Sequence, residues 1–149
     1  MRTRHINRKV VLKKMAGKPI EVYSFFSGAG FLDLGFEEAG FDIVFVNEFN
    51  KQFLNVYQYA RRNNEKLPQY GYSNEDIRNF LSDENWYSRF PRYNDRTNKL
   101  IGFIGGPPCP DFSVAGKNEG ETGVNGQLTS VYVDLIVCRE PDFFVFENV

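Results

Sequence analysis

The sequence has no apolar run approaching the roughly eighteen residues that a membrane span needs. Its N-terminus has no short apolar core of the kind a signal peptide carries. A membrane protein and a secreted protein are thereby set aside, and the expectation is an intracellular, cytoplasmic chain. Cysteine is scarce: Cys109 and Cys138 are the only two, and two well-separated thiols in a reducing compartment build no disulfide framework. No segment repeats, so a repeat architecture is not expected. Net charge is also small, −1 over 149 residues, but it is unevenly placed. Seven of the eighteen Lys/Arg and none of the nineteen Asp/Glu fall in residues 1–20, leaving eleven bases against nineteen acids in the rest. Residues 1–19 read either as a basic arm that adds sequence-independent attraction to phosphates or as a solvated leader. The acidic remainder would need basic groups from elsewhere to grip a polyanion.

What is present suits one core. A hydrophobic content of 42 % over this length predicts a single domain. The run "IEVYSFF" (Ile20–Phe26) has the length and the β-branched and aromatic content of a buried strand. It ends in "SGAG", and "FLDLGFEEAGF" follows as a helix with Leu32, Leu34, Phe36 and Ala39 inward, acids outward and Gly40 as the stop. "DIVFVNE" (Asp42–Glu48) is a second strand, and the segment from Asn50 to Asn63 is a helix with Phe53, Val56, Tyr57 and Ala60 inward. A polar stretch with Pro68 and Gly71 reads as a loop, and "EDIRNFL" as a strand end or a helix start. Residues 82–99, rich in aromatic and polar side chains, fit no element by pattern. "LIGFIGG" (Leu100–Gly106) is a further buried strand, and the four glycines between Gly116 and Gly126 predict a mobile stretch. A helix with Leu128, Val131, Leu135 and Cys138 inward is stopped by Pro141, and "DFFVFENV" closes as a last buried strand. The βαβα order predicts an α/β, Rossmann-like fold, a mostly parallel sheet with flanking helices.

Four features suggest chemistry. The glycine turn at Gly28 and Gly30, between strand and helix, lets a ligand lie against bare backbone at a helix N-terminus; a tight turn without a ligand is the alternative. The spacing from Gly30 to Gly35 departs from G-x-G-x-x-G. Glu48, at the tip of the second strand and about twenty residues after the turn, stands where one carboxylate accepts both hydroxyls of a ribose. Asp76 could accept from the exocyclic amine of an adenine, or simply cap a helix. Cys109 follows a buried strand, behind Pro107 and Pro108, whose rings hold φ near about −65° and remove two N–H donors. That stiffness aims a nucleophile, and Glu147 and Asn148 are delivered to the same sheet edge by the last strand. The alternative for Cys109 is a small buried hydrophobe.

The segments "FFSGAGFLDLGFEEAGF", "VNE", "EDI", "GGPPCPDFSVAGK" and "FENV", in this order, resemble the N-terminal motifs of the cytosine-5 methyltransferases, AdoMet-dependent enzymes best known from bacterial restriction–modification systems. The resemblance runs from about Glu21 to Val149. It implies that Cys109 adds to carbon 6 of a flipped cytosine and that Glu147 protonates ring nitrogen 3. It implies S-adenosyl-L-methionine as cofactor, with Phe26, Gly28 and Gly30 at its methionine and adenine end and Glu48 on the ribose. Asp76 and Ile77 would meet the adenine, and Pro108 would touch the cofactor beside the nucleophile. Ser113 and Lys117 would sit on the loop that closes on DNA, with Asn148 beside the substrate; no metal is implied. Ser24, Phe31, Pro110 and Asn125 stand where the family usually has aspartate, glycine, glutamine and arginine. Residues 20–149 would form the N-terminal part of an AdoMet-binding and catalytic domain, with the target-recognition domain supplied by a missing C-terminal segment or a complementary subunit. The expected partner is double-stranded DNA. A tRNA-methylating branch and a fragment that binds AdoMet or a partner without turnover are the alternatives. A nicotinamide-dependent oxidoreductase accounts for the glycine turn and Glu48 but leaves "PPCPDFS" and "ENV" unused.

Overall fold

A computed structural model describes residues 17–63, 66–108 and 124–147 of the chain. Five strands, β1 (Ile20–Phe25), β2 (Asp42–Asn47), β3 (Tyr72–Ser73), β4 (Leu100–Gly105) and β5 (Phe143–Phe146), form one sheet in the order β3-β2-β1-β4-β5. Every pairing is parallel. Helix α1 (Phe31–Glu38) joins β1 to β2 and α2 (Lys51–Ala60) leads from β2 towards β3. The short helices α3 (Arg78–Leu81) and α4 (Trp86–Arg89) lie between β3 and β4, and α5 (Val124–Arg139) joins β4 to β5. This is the expected doubly wound arrangement, and none of the described helices is long and apolar enough to cross a membrane.

Strands β1, β2 and β4 read as continuous apolar runs because both faces of the sheet are covered there, whereas the edge strand β5, expected to be buried, leaves Phe144 and Val145 exposed. Along β1, Val22 and Ser24 face one side, and Tyr23 and Phe25 the other. Val22 joins Val46, Ile104, Leu54 and Tyr57 in one buried cluster, against which Leu32 and Phe36 of α1 pack. Tyr23 and Phe25 join Phe45, Phe80, Trp86, Phe90, Tyr93, Phe103, Tyr132 and Leu135 in a larger, mainly aromatic cluster. Between β1 and β2 the partner of Val22 is Ile43 and that of Tyr23 is Phe45, so Val44 is an extra residue on β2.

Several sequence expectations change. In α1 the one fully buried residue is the acid Asp33, whereas Leu34 and Ala39 are exposed, because Asp33 finds hydroxyl partners under the helix. In α2 the inward residues are Leu54 and Tyr57; Phe53 and Val56 face outward, towards the ligand edge and solvent. Cys138 is exposed on α5, whereas Tyr132 and Leu135 are buried in the core and Leu128 and Val131 pack against it. The unassigned stretch 82–99 contains Trp86, Phe90 and Tyr93, all buried and mutually packed under β1 and β4. Each such side chain removed from water contributes roughly 1.5–3 kcal/mol, so this insertion is a main part of the core.

Candidate functional site

The chain runs β1, β2, β3 outward in one direction and then returns to the other side of β1 for β4. The loops after β1 and β4 therefore diverge, leaving a crevice at the carboxyl ends of the strands. A cavity of about 530 Å³ lies there, lined by residues that follow every one of the first four strands and by Leu128 of α5. From the sequence-derived set it brings together Phe26, Gly28, Glu48, Asp76, Ile77 and Pro108. Gly30 is not part of the lining; it is buried behind the turn.

The turn after β1 is built from unusual backbone. Phe26 has φ 52, a left-handed value that costs a bulky residue energy, and Gly28 follows with φ 56. A Cβ on Gly28 would meet nothing within 4 Å, so the bare backbone faces open cavity. Ser27 N–H donates to the carbonyl of Asn47 at 3.2 Å and Gly30 N–H to that of Ser27 at 2.9 Å, closing the turn against the end of β2.

Glu48 is locked before any ligand arrives. Its Oε2 accepts from Gly28 N–H at 2.8 Å and its Oε1 from Asn50 N–H at 2.6 Å. Each carboxylate oxygen has two acceptor sites, so both retain capacity towards the cavity. The loops around it are cross-braced by asparagines that the sequence reading did not single out. Asn47 Nδ2 donates to the carbonyls of Ser73 and Glu75, at 3.4 and 2.9 Å, and Asn74 Nδ2 to those of Glu48 and Phe49, at 2.8 and 2.7 Å. Asn50 also caps α2, its Oδ1 accepting from Gln52 and Phe53 N–H.

Asp76 stands two residues before α3. It lies on the cavity wall, and its Oδ1 accepts from Arg78 N–H at 2.9 Å while Oδ2 pairs with the Arg78 guanidinium at 2.9 Å. Ile77, almost wholly buried, presents an apolar wall, and Phe49, 66 % exposed, borders the same space. Next to this wall, Arg89 beside Glu75 holds that carboxyl below its usual range, with Ser73 Oγ also donating to it. Phe49, Phe53, Asn47, Asn50, Arg78, Gly106 and Leu128 are cavity residues absent from the sequence-derived set. Asn47 and Phe49, which flank Glu48, and Gly106, within the glycine–proline motif, had a local signal; the others had none.

On the other side, β4 leads through Gly105 and Gly106 to Pro107 and Pro108. Glu147 N–H donates to the Gly105 carbonyl at 2.9 Å, carrying the β4–β5 pairing to the cavity edge. The carboxyl of Glu147 folds over Gly106: a Cβ there would lie 2.6 Å from Oε2. Gly105 must likewise be small, since a Cβ would meet Tyr132 Cζ at 2.8 Å and the Phe25 carbonyl at 2.9 Å. Cys109, Ser113, Lys117 and Asn148, together with the glycine-rich stretch expected to be mobile, lie outside the described residues. No group of three or more His, Cys, Asp or Glu suited to a metal occurs among the described residues.

With this geometry established, comparison with known proteins is informative. A family model described as C-5 cytosine-specific DNA methylase matches residues 20–149. Type II methyltransferase M.NmeDI of Neisseria meningitidis serogroup C is 53% identical over 131 residues, covering 86% of this chain and 31% of the relative. Type II methyltransferase M.FnuDI of Fusobacterium nucleatum is 38% identical over 130 residues, covering 87% and 32%. Among solved structures, a candidate DNA modification methyltransferase encoded within an E. coli prophage superposes with a TM-score of 0.63 at 27% identity, over 87% of this chain and 32% of that one. Spodoptera frugiperda DNMT2 superposes with a TM-score of 0.56 at 17% identity, over 87% and 35%, a likeness of fold. This chain thus spans about a third of the length of the curated relatives it matches. With a family model covering all of residues 20–149 and the parallel sheet built as its motifs imply, the chain belongs to the C-5 cytosine-specific DNA methylase family.

Proposed function

We propose that the chain is the AdoMet-binding and catalytic portion of a DNA cytosine-5 methyltransferase of a type II restriction–modification system. One observation carries the reading: of the residues that bind cofactor by resemblance, all but Gly30 line a single cavity that ends at Pro108, directly before Cys109, with the Glu147 carboxyl beside it at Gly106. The residues present fit AdoMet. The cavity falls within the usual size range for a ligand of this class. Gly28 leaves room for close approach, Glu48 offers acceptor sites for the ribose hydroxyls, and Ile77 and Phe49 offer apolar surface for the adenine. When bound, AdoMet supplies the methyl group as an electrophilic sulfonium.

The chain's own residues do the rest. The Cys109 sulfur adds to carbon 6 of a cytosine turned out of the helix, and Glu147 delivers a proton to nitrogen 3, so the electrons displaced from the ring have an acceptor. Carbon 5, now nucleophilic, would take the methyl group as the sulfonium's sulfur–methyl bond breaks to a neutral thioether; loss of the carbon-5 proton to water would then re-form the ring double bond and expel the thiolate, with the nitrogen-3 proton returning to Glu147. Ser113, Lys117 and Asn148 hold the loop and the substrate around this step. Double-stranded DNA is the substrate, and the target-recognition surface comes from polypeptide beyond the motifs present here. The tRNA alternative has no specific observation in its favour: Trp86, Phe90 and Tyr93 are buried in the core and offer no stacking surface to an RNA base.

The test is covalent trapping. The longest natural polypeptide containing this chain is incubated with AdoMet and duplex DNA carrying 5-fluorocytosine at its recognition site, then digested and sequenced by mass spectrometry. Fluorine at carbon 5 cannot leave as a proton does, so the adduct accumulates on Cys109. No adduct from a sample that binds AdoMet by calorimetry would reject DNA methylation and leave the RNA or binding-fragment readings.

A further inference from the structure

The glycine turn is held from behind by side chains that are not part of the cavity lining. Gly30 has φ 88, and a Cβ there would fall 2.5 Å from the Tyr57 ring and 2.6 Å from the Arg61 guanidinium. Arg61 Nη2 donates to the Gly30 carbonyl at 2.9 Å. Its Nε faces both carboxylate oxygens of Glu37, at 3.3 and 3.2 Å, and its guanidinium carbon lies 4.0 Å from the centre of the Tyr57 ring. Tyr57 Oη donates to one oxygen of Asp33 at 2.8 Å, and Ser24 Oγ to the other at 2.7 Å. All of Ser24, Asp33, Tyr57 and Arg61 are buried. One carbonyl is thus tied to β1, α1 and α2 together.

Burying this much polar surface gives little net stability, since apolar residues of similar volume would serve as well or better. What the network does provide is a fixed position for a turn that contains a strained residue, Phe26, and two conformationally free glycines. The route from there to the cavity is short: Gly30 N–H bonds Ser27, and Gly28 N–H bonds Glu48. Any shift of Gly30 moves the carboxylate placed to meet the ribose. We propose that Arg61 and Tyr57, acting with Asp33, are positioning residues that set the affinity of the cavity for AdoMet by fixing the glycine turn. This rests on the cofactor reading above.

The experiment uses the longest natural polypeptide containing this chain, with AdoMet titrated by calorimetry and amide hydrogen exchange followed in parallel. Arg61→Met and Tyr57→Phe each raise the AdoMet Kd by about tenfold or more, the effect of losing a hydrogen bond to a charged or buried group. Arg61→Lys restores part of the affinity, and Lys66→Met, which removes an exposed ion pair with Asp42, leaves it unchanged. Methylation assays show the loss in KM for AdoMet with kcat retained at saturation. Exchange quickens in residues 26–34 and not in β4. Wild-type affinity in both variants overturns the proposal, as does exchange that quickens equally in β4, which marks general destabilisation. Failure of the unaltered protein to bind AdoMet overturns the cofactor reading and, with it, the effect assigned to these residues.

Discussion

At the scale of single residues, the cavity depends on carboxylates held in opposite ways. Glu48 is fastened by two backbone N–H groups and keeps acceptor capacity for a ligand. Glu48→Ala should therefore weaken AdoMet binding by ~1–3 kcal/mol, the cost of removing a charged hydrogen-bond partner. An unchanged calorimetric Kd would place the ribose elsewhere. Asp33 is enclosed, and burial pushes its carboxyl above the usual range against the pull of Ser24, Tyr57 and Arg61. A native-state pKa above the unfolded value stabilises fully only below the unfolded value, and that contribution is lost as pH rises through the raised one. Asn at this position does not titrate and can still bond both hydroxyls. The stability of Asp33→Asn relative to the unaltered protein should accordingly increase as pH rises above the unfolded-state value of about 4 and through the raised one. Urea midpoints across that range check this, and a gap independent of pH would mean that the partners offset burial completely. Gly30→Ala has a simpler basis. A side chain at φ 88 meets Tyr57 and Arg61 at once, so about 2–4 kcal/mol of stability should be lost, from left-handed strain and overpacking combined.

Among the elements, the strands were the most legible part of the sequence and the inward faces of the helices the least. Short apolar, β-branched and aromatic runs ending in Gly, Asn or an acid mark strands, and β1, β2, β4 and β5 lie where those runs predicted, although β5 at the sheet edge is only partly buried. Helix faces misled because polarity stood in for exposure. Asp33 is buried since Ser24, on the neighbouring face of β1, and Tyr57, on α2, supply its partners, and no local pattern announces a partner 24 residues away. Phe53 points outward since the cavity, not the core, occupies its side. Trp86, Phe90 and Tyr93 escaped assignment because short helices separated by turns have no period to detect. The site itself was legible where a motif occupies a strand end, as at Gly28, Glu48 and Pro108, and illegible where loops are braced by asparagines with no motif around them. The β4–β5 pair offers a test at this scale. A Cβ on Gly102 would enter the ring of Phe143, its register partner on β5. Gly102→Ala should cost ~1–3 kcal/mol by overpacking and loosen the strand that delivers Glu147. Faster amide exchange in residues 143–147, with β2 unaffected, is the expected signature, and equal change in both strands would remove β5 as the weak point.

For the whole molecule, charge sets how this segment meets the proposed DNA. Residues 21–149 hold eleven bases against nineteen acids, while residues 1–20 hold seven bases and no acid. Among the described cations several are already engaged: Arg61 with Glu37, Arg89 with Glu75, Arg96 with Asp142 and Lys99 with Glu21. A net-acidic body with many of its bases paired internally repels a polyanion overall, so residues 1–19, with seven bases and no acid, are the main source of attraction to phosphate in this segment. Each phosphate neutralised adds about 0.9 to the slope of log K against log salt for duplex DNA. Removing residues 1–19 should therefore lower that slope by several units while leaving AdoMet affinity within about twofold, since none of residues 17–19, the described part of the arm, lines the cavity. Fluorescence anisotropy with a labelled duplex at a series of salt concentrations, paired with AdoMet calorimetry, separates the two effects. A slope unaffected by the deletion would mean that the arm is a solvated leader and that every phosphate contact is made elsewhere. A parallel loss of AdoMet binding would instead tie the arm to the cavity.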